Sequence, residues 1–371
     1  MSKLCLIYNT APRYREAIFR AIDAEYDCCW YFGRTKSDIK SMDVSVLKDA
    51  TMVDNVFFFK KRLYWQKGVL KSVFSANIDA YFTLGETRCV TCWLLLFLVK
   101  LFHPSRKIYF WSHGWYGKES WIERRLKHIF FGLADGVFLY GNYARDLMIQ
   151  NGFDPKKLFV IHNSLHYKEQ LQLRNSMKPS SIYREHFQNN YPVIIFIGRL
   201  TAVKRLDLLI EALAELKVKS EHYNLIFVGD GVKRKDLEES VRAKGLAPNV
   251  WFYGACYDEA INAELVYHAD LCVSPGNVGL TAMHAMVFGT PVITHNCFKY
   301  QMPEFEAIQP GITGDFFEYN DPHSLANTIS HWFQPKQNKR DEVRKACFLE
   351  IDSEWTPEFQ MDVIRKNLKF S

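Results

Sequence analysis

The sequence predicts an α/β protein made of two doubly wound parallel-sheet domains, and three observations carry that expectation. Short apolar runs alternate with amphipathic stretches along the chain, the pattern of repeated strand-helix units whose sheets are covered on both faces. Several runs close on glycine, as Ile197-Gly198, Val228-Gly229 and Tyr253-Gly254 do, where a chain leaves a strand and turns into a helix. At 371 residues, the chain exceeds the length at which a single core stops growing.

Taken in order, the first half offers strands near residues 3–9, 27–32, 78–84, 107–112, 135–140 and 158–162. Residues 165–190 are rich in Lys, Gln, Asn and Ser without a sustained period, and the interdomain linker is expected there. Val193 to Ile197 then predicts a strand. Leu206, Leu209, Ile210, Leu213 and Leu216 follow at helical spacing. Strands at 224–228, 250–253, 270–274 and 291–294 alternate with helices near 232–244, 258–268 and 279–288. A last helical spacing, through Phe359, Val363, Ile364 and Leu368, predicts a terminal helix that packs back on the first domain. The expected boundaries are 1–175, 176–350 and 351–371 for the two domains and this terminal segment.

Composition narrows the class. With 48% hydrophobic and 24% charged residues, the chain is globular. Its nine cysteines are odd in number and scattered, which suits a reduced, cytoplasmic setting. Cys89 and Cys92 form one CxxC with no second pair at zinc spacing, so no metal site is expected. The amino terminus lacks the pattern of a secretion signal, and the longest apolar run, Trp93 to Val99, is far short of the roughly 20 residues that span a bilayer. Net charge is +6, concentrated in residues 1–185, which hold about 28 Lys and Arg against about 17 acids. Such a half suits phosphates, whether on an acceptor or on an anionic membrane surface at the inner face. No nucleic-acid recognition motif accompanies the charge, so nucleic acid is not an expected partner.

Two stretches have the makings of an anion site. In FIGRLTAVKR (196–205), Gly198 and Arg199 leave a strand and Lys204 opens the next helix; a guanidinium, an ammonium and helix amino-terminal N–H groups together suit a diphosphate. In GNVGLTA (276–282), a second strand again gives way to a helix, and the N–H groups of Gly279, Leu280 and Thr281 can cap a phosphate. Each stretch alone is equally compatible with ordinary solvated charges and turns.

In order, Gly198-Arg199-Leu200 with Lys204, Val228-Gly229-Asp230-Gly231, the strand and turn from Asp270 to Gly276, and Gly289-Thr290-Pro291-Val292-Ile293 resemble the donor domain of GT-B glycosyltransferases, particularly family 4 (group 1). The likeness extends to His113-Gly114, Ala134 to Val137 and Ile161-His162-Asn163. It implies two Rossmann-like domains facing a central cleft, an N-terminal acceptor domain, and a C-terminal nucleotide-sugar domain. It implies a hexosyltransferase acting on a glycan or lipid-linked acceptor, retaining and without a metal or other cofactor, as in lipopolysaccharide, O-antigen or capsule assembly. Arg199 and Lys204 would neutralise the donor diphosphate. Asp230 and Gly254 would belong to the donor site, Gly254 and its neighbours near the nucleobase. His113 would lie near the reacting sugar or acceptor. Arg13 and Arg15, in the loop where many relatives carry glycines, would meet an acceptor phosphate or else form a solvated first helical turn.

The sequence departs from this family at its Glu-x7-Glu element, where Gly276 and His284 stand in place of both acids. His284 can still hydrogen bond a ribose, and Glu304 and Glu306 are candidate replacement acids, or a solvated acidic loop. Two other functions fit the same architecture: a sugar nucleotide 2-epimerase, and a degenerate nucleotide-sugar-binding partner.

Overall fold

The computed structural model describes residues 3–34, 40–75, 77–334 and 339–370. It forms two compact units, Met1–His166 with Thr356–Ser371, and Tyr167–Trp355. The chain thus passes between units at His166, before the expected residue 175, and returns at Thr356, after the expected residue 351.

The first unit holds β1 (Lys3–Tyr8), α1 (Glu16–Glu25), β2 (Asp27–Arg34), β3 (Ala50–Phe58), β4 (Leu63–Gln66), β5 (Ile78–Leu84), α2 (Val90–Phe102), β6 (Lys107–Ser112), α3 (Trp121–Gly132), β7 (Gly136–Leu139), α4 (Asn142–Gln150) and β8 (Leu158–Val160). Its eight-stranded sheet runs β4-β3-β2-β1-β5-β6-β7-β8. Successive residues of a strand face opposite sides, so Cys5 and Ile7 enter the core under α2 and α3, whereas Leu4, Leu6 and Tyr8 enter the one under α1. That double burial is why β1 reads as an unbroken apolar run.

The β3-β4 pair is an antiparallel hairpin that the sequence does not announce. Asp54 and Asn55 interrupt its apolar run, and four of the nine β3 residues are exposed although β4, not β3, is the edge strand. Phe59, Lys60 and Lys61 make its turn at positive φ.

The second unit holds α5 (Tyr167–Asn175), α6 (Ile182–Phe187), β9 (Val193–Ile197), α7 (Leu206–Val218), β10 (Asn224–Val228), α8 (Arg234–Ala243), β11 (Val250–Gly254), α9 (Glu259–His268), β12 (Leu271–Val273), α10 (Leu280–Val287), β13 (Val292–His295), β14 (Gly314–Phe317), α11 (Pro322–Phe333) and α12 (Arg340–Glu354). Its six-stranded sheet is parallel throughout, in the order β11-β10-β9-β12-β13-β14. The order reverses direction between β9 and β12, and the crevice outside strand carboxyl ends at such a switch is where open α/β sheets bind ligands.

The expected linker is largely helical. Residues 165–190 contain α5 and α6, which the polar composition concealed because α5 is fixed by side-chain bonds rather than by an apolar stripe. Gln170 donates to Glu259 at 2.9 Å, and Arg174 donates to both Asp352 oxygens at 3.0 and 2.8 Å. The last helix, α13 (Pro357–Asn367), buries Met361 and Ile364 in the α1-side core of the first unit.

Candidate active site

At the end of β9, the second unit's backbone is packed against itself. The Gly198 N–H donates to the Val228 carbonyl at 2.9 Å, Leu200 to Asp230 at 2.9 Å, and Gly229 to Gly254 at 2.7 Å. A Cβ on Gly229 would stand 1.9 Å from the Gly198 oxygen, and one on Gly231 2.4 Å from the Leu200 oxygen. Only glycine permits these three strand exits to converge so closely.

Arg199 is exposed at this edge, and Lys204 is half-buried behind it. The Lys204 Nζ donates to the Asn277 carbonyl at 2.7 Å and to its side-chain oxygen at 3.0 Å, while the Gly276 N–H donates back to the Lys204 carbonyl at 2.9 Å. The two motifs predicted from sequence are therefore laced into one feature. Burial pushes the Lys204 amine down to about 8, with Glu304 pulling it up and Arg199 repelling it. Glu304 is only 2% exposed, so it is no solvated loop acid, whereas Glu306 is half-buried.

The amino end of α10 completes this edge. Gly279 caps it at φ 55°, the Thr281 hydroxyl donates to the Ile197 carbonyl at 3.2 Å, and the leading amides of Gly279, Leu280 and Thr281 belong to the turn that has no carbonyl partner within a helix. Gln301, which no sequence motif singles out, fixes the approach: it accepts from the Val278 N–H at 2.9 Å and donates to Thr294 and His295.

The remaining donor-side candidates are committed to structure. Asp230 accepts from the Gly231 N–H at 2.7 Å and pairs with Arg234 at 3.3 Å. Gly254, at φ 97°, accepts the Gly229 bond. His284 meets the Glu259 carboxylate at 2.9 Å. Burial pushes the Glu259 carboxyl up, but the hydrogen bond and charge of His284, helped by Gln170 and Asn262, outweigh it and hold it at about 2. Glu259 also escaped the sequence reading, because its partner lies in a different strand-helix unit. A groove of about 590 Å³ bounded by Asp315, Asp321, His323 and His331 involves none of these residues.

In the first unit, Arg15 and His113 line one cavity of about 540 Å³ together with Tyr8, Tyr140, Glu86 and Lys127. Arg13 does not line it. His113 is half-buried, and burial with the nearby charges of Arg15 and Lys127 pushes its imidazole down to about 4, so it is neutral near pH 7.

Residues 178–347 match the family described as glycosyl transferases group 1. An uncharacterized 41.2 kDa protein of the Klebsiella pneumoniae cps region is 25% identical over 218 residues, 56% of each chain. The chain spans between 28% and 56% of the length of the first curated relatives it matches. Among solved structures, Anabaena Alr3699/HepE in complex with UDP aligns over 99% of both chains with a TM-score of 0.74 and 19% identity. The lipopolysaccharide outer core galactosyltransferase WaaB aligns over 99% of this chain and 100% of its own, with a TM-score of 0.73 and 14% identity. The chain has the GT-B fold, and residues 178–347 of its second unit match the family of group 1 glycosyl transferases.

Proposed function

We propose that the chain is a retaining, metal-independent glycosyltransferase that moves a hexose-type sugar from a nucleoside diphosphate to a glycan or lipid-linked acceptor in surface polysaccharide assembly. The observation that carries this is the joining of Arg199, Lys204 and the amino end of α10 at one sheet edge. Cations and amide dipoles fixed there offset the negative charge that grows on a departing diphosphate, the role a divalent ion plays elsewhere. The UDP of the Anabaena structure and the polysaccharide settings named for two of the similar proteins support the donor class and the pathway.

The test is a panel of nucleotide sugars. One of them is expected to raise the melting temperature selectively. With acceptor it should release nucleoside diphosphate at a rate unchanged by EDTA and yield a product of retained configuration. Failure of every nucleotide sugar to bind would remove the proposal, as would a rate abolished by EDTA and restored by metal. Conversion of the donor sugar without acceptor would instead mark an epimerase.

The lipid-linked acceptor draws support from the surface of the first unit. No helix among the described residues is long and apolar enough to cross a membrane. Yet α3 exposes Ile122, Leu126 and Ile129 at helical spacing beside Trp121, which is 69% exposed, Leu133 is exposed just past its end, and neighbouring α2 exposes Leu94, Phe97 and Leu101. Trp93 and Phe130 hold the two helices together, their rings 4.8 Å apart. Arg125 lies over the Trp121 ring at 5.1 Å, and Arg124 flanks it. An apolar face rimmed by cations suits insertion at the boundary of an anionic bilayer. The double variant Trp121→Glu with Ile129→Glu is expected to lose about tenfold or more in sedimentation with phosphatidylglycerol vesicles. Undiminished sedimentation would exclude this face.

A further inference from the structure

The cavity of the first unit contains a buried cation that its own fold leaves without an acid. Arg15 is 6% exposed, has no ion-pair partner among the described residues, and its Nε makes no hydrogen bond. Its guanidinium carbon sits 5.6 Å from the Tyr8 ring, 5.8 Å from Tyr14, 5.0 Å from Trp111 and 5.1 Å from Tyr140. Aromatic faces offset part of the cost of desolvating a cation, but they do not replace a counter-ion. The acids in the cavity wall are engaged elsewhere. Glu86 accepts from Tyr64 at 2.9 Å and pairs with Arg88, and Glu123 caps α3 through the Ser120 N–H at 2.8 Å.

Other buried polar atoms point the same way. The Tyr8 and Tyr140 hydroxyls and His113 Nδ1 belong to residues that line this cavity, and none of the three has a hydrogen-bond partner. Buried polar groups are nearly always satisfied, so a cluster of unsatisfied ones beside an uncompensated cation is a site built for a ligand with one negative charge and several hydroxyls.

We propose that this cavity seats an anionic sugar of the acceptor, its carboxylate or phosphate on Arg15 and its hydroxyls on Tyr8, Tyr140 and His113. The assignment rests on the transferase reading of the chain and narrows it to acceptors that carry an acidic sugar or a sugar phosphate. It also separates two neighbouring arginines: Arg15 faces the ligand, whereas Arg13 does not line the cavity.

Calorimetric titration of the full chain with glucuronate, glucose 6-phosphate, glucose and inorganic phosphate tests it, with UDP as an independent probe. At least one anionic sugar is expected to bind about tenfold or more tightly than glucose and than inorganic phosphate. Preference for glucuronate assigns a carboxylate, and preference for glucose 6-phosphate assigns a phosphate. Arg15→Met should reduce the anionic sugar to the level of glucose and leave UDP binding unchanged; Arg15→Lys should retain part of the preference. Equal binding of glucose and the anionic sugars by the wild-type chain overturns the proposal without need of any variant. So does full binding by Arg15→Met, or inorganic phosphate matching the sugars. Loss of UDP binding alone would strike the donor reading and leave this seat standing.

Discussion

Replacing Lys204 by Met is expected to lower kcat/KM by about 10²-fold or more, with Arg199→Ala in the same range, because under the proposed function each removes a fixed charge aimed at a developing anion. Lys204 also gives the site a pH signature. Its amine is pushed down to about 8 by burial, with Arg199 adding to the effect against the pull of Glu304. A diphosphate beside it must raise that value again. The bound pKa therefore lies above the free one, so affinity is full below about pH 8 and declines as pH climbs through it. At pH 8 about half of the free protein carries a neutral Lys204, and nucleotide binding should take up about half a proton. Calorimetry of UDP binding in buffers of different ionisation enthalpy measures that uptake. Lys204→Met should abolish it. A variant with wild-type turnover and unchanged proton uptake would show that the ammonium does not meet the diphosphate.

Much of this second unit was legible because its strands are buried on both faces. Val193 to Ile197 and Leu225 to Val228 are unbroken apolar runs, each followed by a glycine at positive φ, and the approach of the Gly198 carbonyl demands glycine at Gly229. What escaped notice lacks that double burial or is fixed at long range. β14 is four residues long and includes Asp315; the β3-β4 hairpin lies at an exposed edge; α5 is secured by Gln170 and Arg174 reaching residues far along the chain. The site divides in the same way. Arg199, Lys204 and the 279–281 amides follow from local strand-helix grammar. Asn277, Glu259 and Gln301 matter through partners on other strands, helices and turns of the same unit, and no local spacing encodes such a partner. The difference between Arg13 and Arg15 likewise depends on which way one turn presents its side chains.

The other large prediction concerns Gly276 and His284, where the family resemblance implies acids: placing acids there should harm the protein. At Gly276, an added Cβ would stand 2.0 Å from the Val203 oxygen and 2.8 Å from the Lys204 backbone carbon and Cα. All three are backbone atoms, so no rotamer change relieves the clash. Gly276→Glu must push away the 201–205 turn, and with it break the bond from the Gly276 N–H to the Lys204 carbonyl that positions the ammonium. A destabilisation on the order of 2–4 kcal/mol is expected, with activity lost beyond what the fraction unfolded explains. Gly276→Ala should share both losses, since the first side-chain atom is already too much. His284→Glu fails for a different reason, setting a second carboxylate beside Glu259, where the imidazole now stands at 2.9 Å. His284→Gln, which keeps a donor toward Glu259, should be the mildest of the four. Thermal melts and donor kinetics on the set decide the matter: a Gly276→Glu chain that melts like wild type and turns over faster would mean the turn yields freely, and that Lys204 is not held in place by its packing against residue 276.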